Sequence, residues 1–181
     1  MSKLPTVINQ FNVYKDDTAK LIGISGEVTL PDIENKSTTV SGAGLLGEIE
    51  EAITGQITST KMEIPFAVLN DDIFSIMNPN ESTSLTLRGA IQNMDTETSQ
   101  AGYTGIKVTV KGKMSTFKPG KVKAGEQMGA SVTIELTYIK ISTKVPTDAG
   151  DKETVRLELD KLNGVYKING KDVLGDVNKY I

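Results

Sequence analysis

The chain has 181 residues, 38% of them apolar, with 20 Lys and Arg against 23 Asp and Glu and a formal net charge of -3. It has no His, no Cys and no Trp, which excludes Ser–His and Cys–His nucleophile pairs, disulfides, iron–sulfur sites and ordinary zinc sites. A pI near 5.1 does not suggest a nucleic-acid binder, and no apolar run is long enough to span a bilayer.

Met1-Ser2-Lys3-Leu4-Pro5 lacks the apolar core of a secretory signal, so the chain is expected in the cytoplasm unless a dedicated machine exports it. The dominant period along the chain is two, the strand period. A short run at Phe11–Tyr14 precedes the polar turn Lys15-Asp16-Asp17. Lys20–Leu30 reads as a strand softened by Gly23 and Gly26 and stopped by Pro31. Ile57–Val68 reads as the next, with Met62, Ile64, Phe66 and Val68 on one face. One helix is expected after Asn70. That residue is a good N-cap, Asp71 and Asp72 suit the positive end of the helix dipole, and Ile73, Phe74, Ile76 and Met77 supply its apolar side. Asn78-Pro79-Asn80 ends it.

Leu85, Leu87 and Ile91 mark a strand around 83–92. Two long strands follow. Ile106, Val108, Val110 and Met114 alternate with polar residues in one; Val132, Ile134, Leu136 and Tyr138 do so in the other. Ile139 and Ile141 fall on the opposite parity, which predicts a bulge near 138–139. Lys118–Gly125 is a hairpin tip between them. Val155, Leu157 and Leu159 mark a further strand, and Asn169-Gly170 is a strong hairpin signal. Asn93–Gly105 and Val145–Lys152 are expected as exposed loops. These features predict a single domain over 1–181 with mobile loops near 32–55 and 117–127. The fold class is mainly β, an antiparallel barrel or sandwich with one short packed helix.

Gly42-Ala43-Gly44-Leu45-Leu46-Gly47 fits G-x-G-x-x-G, with Glu63 at the spacing of a ribose-binding acid. The context is wrong for a dinucleotide site. Asn35–Val40 is almost wholly polar where a buried strand is needed, and Glu48, Glu50 and Glu51 crowd the end that would receive pyrophosphate. A glycine-rich loop is the reading the context supports. Six Lys (107, 111, 113, 118, 121 and 123) lie between Glu97 and Glu126 with no acid among them. Only Tyr103 and Phe117 accompany them, too few aromatics for single-strand binding. Edge protection, or contact with an acidic patch on an identical neighbour, is preferred. Asp16/Asp17, Glu50/Glu51 and Asp71/Asp72 are adjacent pairs that do not face each other across a cleft as a glycosidase requires. Glu27 and Asp32 match no calcium-loop pattern. Neither an enzyme nor a cofactor is expected.

The order of features is similar to that of the major tail tube proteins of contractile-tailed bacteriophages and of phage-tail-like bacteriocins. The resemblance spans nearly the whole chain. It is carried by Phe11-Asn12-Val13-Tyr14, Val28-Thr29-Leu30-Pro31, the Ser41–Gly44 glycine loop with Gly47-Glu48-Ile49-Glu50 after it, the strand holding Met62, Ile64 and Phe66, Thr137–Ile141, and the closing Lys161–Leu174 segment. It implies a β-barrel-like subunit that forms homohexameric rings stacking into a hollow tube. The tube is the conduit for genome delivery or the piercing element of a contractile particle. Its implied partners are further copies of itself, a tail sheath protein outside, and baseplate and tail terminator proteins at the ends. In a phage, DNA is implied only as a transient, non-specific cargo of the lumen, and no membrane anchor is expected. The implied location is the virion tail or a tail-like particle, assembled in the bacterial host cytoplasm.

Within that reading the expected inter-subunit or inter-ring contacts are Gly42, Gly44, Leu45 and Leu46 in the glycine loop and Lys118, Lys121 and Lys123 in the hairpin tip. Val132, Ile134, Ile139 and Ile141 complete the set. Val132–Ile141 and Ile106–Phe117 are the strands expected to continue a sheet into a neighbour. With only Arg88 and Arg156 against 18 Lys, the lumen wall is expected to be net negative. Two other readings stay open on the residues alone: a monomeric soluble β-barrel binding module, and an enzyme built on Lys, Tyr or carboxylates.

Overall fold

The computed structural model describes residues 3–147 and 150–180. In chain order the strands are β1 (Lys3–Lys15), β2 (Ala19–Lys20), β3 (Asn35–Val40), β4 (Ile49–Ile57), β5 (Lys61–Phe66), β6 (Thr83–Asp95), β7 (Ala101–Lys118), β8 (Ala130–Thr147), β9 (Gly150–Asp160), β10 (Val165–Ile168) and β11 (Lys171–Asp172). One helix, α1 (Asp71–Ser75), lies between β5 and β6. A nine-stranded antiparallel sheet runs β11-β10-β9-β8-β7-β6-β1-β2, with β5 added on β8, and β3 and β4 form a separate two-stranded sheet. The mainly-β antiparallel class with one short helix is as expected.

Strand β8 organises the sheet. Its first part, Ala130–Glu135, pairs with β5. From Tyr138 onward the same edge pairs with β9. The partner changes at the bulge: Gly112 faces Leu136 and Lys111 faces Tyr138, so Thr137 is the extra residue. The phase slip thus falls within a residue of the expected 138–139. The backbone groups freed there find partners, as buried peptide groups must. The N–H of Leu136 donates to the Thr60 carbonyl (2.8 Å), and the Thr137 carbonyl accepts from the Lys161 N–H (2.9 Å). Lys161 Nζ closes the same corner by donating to the Thr58 carbonyl (2.9 Å) and Thr60 Oγ1 (3.0 Å). Gly112 is required opposite the bulge, because a Cβ there would stand 2.1 Å from the Glu135 carbonyl oxygen.

The core lies between the inner face of the sheet, β5 and α1. Ile64, Phe66, Ile73, Ile76, Ala130 and Val132 are fully buried, and Val108, Val110, Ile134, Leu136 and Ile139 nearly so. Burying each large aliphatic stabilises by about 1.5–3 kcal/mol. The helix is capped as expected: Asn70 Oδ1 accepts from the Ile73 N–H at 3.1 Å. Asn70 Nδ2 also donates to the Ile22 carbonyl (2.8 Å), and Asp72 Oδ2 accepts from the Ile22 N–H (2.6 Å). Two side chains of one helical turn thereby hold the segment after β2. Phe74, expected on the apolar side, is exposed.

Several boundaries differ from expectation. Lys20–Leu30 is not a strand; beyond β2 it is irregular, with one bridge between Ile24 and Phe66. Gly23 takes φ +83° and turns the chain so that its carbonyl accepts from the Ala67 N–H. Ile57–Val68 is divided, because the backbone of Thr58 and Thr60 is engaged by Glu34 and Leu136 rather than by a ladder. Val68 is exposed. The expected loop Asn93–Gly105 shrinks to 96–100, turned by Asp95 Oδ1 accepting from the N–H groups of Glu97 and Thr98. Val145–Lys152 is mostly strand, with 148–149 outside the described residues. Asn169 (φ 49°) and Gly170 (φ 78°) make the expected hairpin turn between β10 and β11.

Candidate functional site

The two-stranded sheet of β3 and β4 is an arm. All six residues of β3 are exposed, and seven of the nine in β4. A lone two-stranded hairpin is at best marginally stable in water. This one is rooted at its base, where Ile57 packs on the core and Leu174 lies against Gly55. Between the strands, Gly42–Gly47 forms the turn: the Leu45 N–H donates to the Gly42 carbonyl (3.2 Å), with Gly44 and Gly47 at φ +99° and +111°. The motif therefore joins two antiparallel strands and opens no helix, so it cannot cradle pyrophosphate in the dinucleotide manner. The stretch expected as a mobile loop near 32–55 contains β3 and most of β4. Leu46 at the turn is fully solvent-exposed, and Val40, Leu45 and Ile49 beside it are exposed.

The basic loop joins β7 to β8. Lys118 Nζ pairs with Glu63 Oε1 (3.1 Å), and Lys123 pairs with Glu126. Ser131 also donates to Glu63 (2.6 Å); that bond, with Lys118 second, holds the Glu63 carboxyl below the usual carboxylate range. Val122 stands 90% exposed between Lys121 and Lys123.

The remaining expected contact residues lie elsewhere. Val132, Ile134 and Ile139 are buried in this chain's own core, and Ile141 packs against it. The first three side chains are not on a surface, and Ile141 is partly exposed. Strand β8 has β7 on one side and β5 and then β9 on the other, so it offers little free edge, contrary to expectation, whereas β7 is flanked on both sides only over Gly105–Gly112 and its Lys113–Lys118 end pairs with β8 alone. A longer open edge is that of β1, which pairs with β6 along its length and with β2 only at Tyr14 and Lys15. Leu4, Val7 and Ile8 are exposed along it, beside a groove of about 340 Å³ lined by Phe11, Val28, Leu30, Leu87 and Ile106. Sequence reading missed this surface, because Pro5 and the bulges after Pro5 and Ile8 break the alternation. Pro5 itself was the available signal, since proline sits on edge strands.

Several ionisable groups brace the fold. Asp17, in a turn at φ 63°, pairs with Arg88 (2.6 Å) and Lys107 (3.1 Å); the Arg88 contact chiefly lowers its pKa. Tyr138 donates to Glu158 (3.1 Å), and burial followed by that carboxylate raises its pKa to about 12. Burial lowers the pKa of Lys161. Among the described residues no three Asp or Glu gather in a metal-binding cluster. No helix among them is long and apolar enough to cross a membrane.

A family model described as phage tail tube protein FII matches residues 5–181. The chain is 25% identical over 175 residues to the major tail tube protein of Serratia phage KSP20, covering 96% of this chain and 93% of that one. It is 24% identical over 174 residues to the tail tube protein of Escherichia phage P2, covering 94% of each. Among solved structures it resembles a chain from the 6-fold symmetrised cryo-EM structure of the anti-feeding prophage baseplate, with TM-score 0.47 and 14% identity over 79% of this chain and 97% of that one. With the match running almost end to end, the chain belongs to the phage tail tube protein FII family.

Proposed function

We propose that this protein, a structural subunit of a phage tail tube, closes into hexameric rings that stack as a hollow conduit through contacts made by the β3–β4 arm and the open edge of β1. The observation that carries the reading is the arm. It is a hairpin with an exposed aliphatic tip and no packing of its own beyond its base, which a second copy would cover. The arm supplies Gly42, Gly44, Leu45 and Leu46 as contacts between rings, and Lys118 at the end of β7 with Lys121 and Lys123 in the loop after it supply further ones. The β1 edge, with unpaired peptide groups, is available for strand addition by a neighbour. A sheath protein outside, baseplate and terminator proteins at the ends, and DNA as a passing cargo complete the assembly, with a net-negative lumen wall. No step of this work uses catalysis. Hydrogen exchange tests the arm's part: protection of 41–51 should rise sharply between dilute monomer and concentrated assembly. Equal protection in both would remove the arm from the interface.

A further inference from the structure

Two loops of this chain carry opposite charge around an exposed aliphatic centre. The arm presents Glu48, Glu50 and Glu51 beside Leu46, and no cation lies between Ser37 and Ile57. Lys118 at the end of β7 and Lys121 and Lys123 in the loop after it lie around Val122, with Glu126 as that loop's one acid. Lys118 and Lys123 are partly compensated within the chain by Glu63 and Glu126. Glu50 accepts a hydrogen bond from Ser37 (2.7 Å). Among the described residues, Glu48, Glu51 and Lys121 have no ion pair.

An aliphatic centre with a charged rim is the anatomy of a specific protein contact. The charges also select the partner. Arm against arm, or loop against loop, sets like charges together, whereas arm against loop sets opposite ones together. A contact between two different patches of identical chains is heterologous, the kind that propagates an assembly.

We propose that the acidic arm tip of one copy docks on the basic β7–β8 loop of a second copy, with Leu46 against Val122 and with Glu48 and Glu51 over Lys121 and Lys123. The proposal rests on the self-assembly reading above. It is tested with three variants of the full chain: Lys121→Glu with Lys123→Glu, Glu48→Lys with Glu51→Lys, and all four together. These side chains are exposed, so unchanged circular dichroism and melting are expected and serve as the folding control. Polymer mass is read by sedimentation velocity and by negative-stain microscopy. Each charge-reversed pair should lower the polymerised fraction by about tenfold or more, and the combined variant should restore it to within about twofold. Charge-reversed variants that polymerise like wild type, or a combined variant that fails to recover, overturn the pairing while leaving the tube reading intact. Wild-type protein that stays monomeric at every concentration overturns the tube reading, and the pairing falls with it.

Discussion

Gly112→Ala tests the account of how β8 changes partner. The added Cβ would meet the Glu135 carbonyl oxygen at 2.1 Å, its carbon at 2.9 Å and Ile134 Cγ2 at 2.9 Å, where real Cβ contacts essentially never fall below 3.0 Å. The nearest obstacle is backbone in the most heavily paired strand, so no side chain can swing away. The β7 and β8 strands must part beside the bulge. Overpacking of this kind costs about 1–3 kcal/mol, and each ladder bond weakened adds about 1 kcal/mol. The lost freedom of the unfolded chain returns about 0.4–1 kcal/mol. The net is a destabilisation of about 2–4 kcal/mol, which for a chain of this size lowers Tm by roughly 6–12 °C. Gly102→Ala is the control: it lies in the same strand with nothing within 4 Å of its Cβ position. It should change stability by less than about 0.5 kcal/mol. The assay is urea unfolding and thermal melting of both variants beside wild type. Equal melting of the two would refute the close approach at the bulge.

Other perturbations follow from the same contacts. Gly55→Ala combines φ +83° with a Cβ 2.6 Å from Leu174 Cδ2; it should cost about 1–2 kcal/mol and speed hydrogen exchange at Val173 and Leu174. Unchanged exchange there would mean that the C-terminal segment does not brace the arm. Because Ser131 and Lys118 depress the pKa of Glu63 below its ordinary 4.5, its stabilisation is present above that value and is lost as pH falls through the folded-state pKa. Wild type should therefore lose its Tm advantage over Glu63→Gln on acidification, and a pH-independent difference would contradict this. Tyr138 has its pKa raised to about 12 from the ordinary 10, so its stabilisation is full below pH 10 and is lost as pH rises from there through 12. Titration by tyrosinate absorbance should show one late-ionising group that disappears in Tyr138→Phe.

Where local chemistry decided the structure, the sequence was readable. Asn70 caps α1 because its side chain reaches the Ile73 N–H, an interaction spanning three residues. Asn169-Gly170 turns because both residues tolerate positive φ. The parity slip around residue 138 exposed a bulge because one extra residue reverses every side chain after it. Long-range partners were not readable. Leu4, Val7 and Ile8 belong to a strand held by β6, more than eighty residues away, which no local pattern announces. Lys20–Leu30 looked like a strand, yet Gly23 and the α1 cap hold it as irregular chain. The candidate site divides in the same way. Leu45 and Leu46 stood out as apolar residues in a glycine turn and are exposed. Val132, Ile134 and Ile139 stood out by alternation, but alternation reports that a face is buried and not by what. That face is buried in the chain's own core, in one cluster with residues of β5 and α1.

The central claim is that this subunit assembles with copies of itself into a hollow tube. Cryo-electron microscopy of the purified full chain, imaged across a concentration series, tests it most directly. Hexameric rings are expected at intermediate concentration and stacked hollow tubes at high concentration, with the β3–β4 arm of each ring seated on the next. Monomers persisting at the highest concentration, or an assembly in which the Leu46 tip remains in solvent, would contradict it.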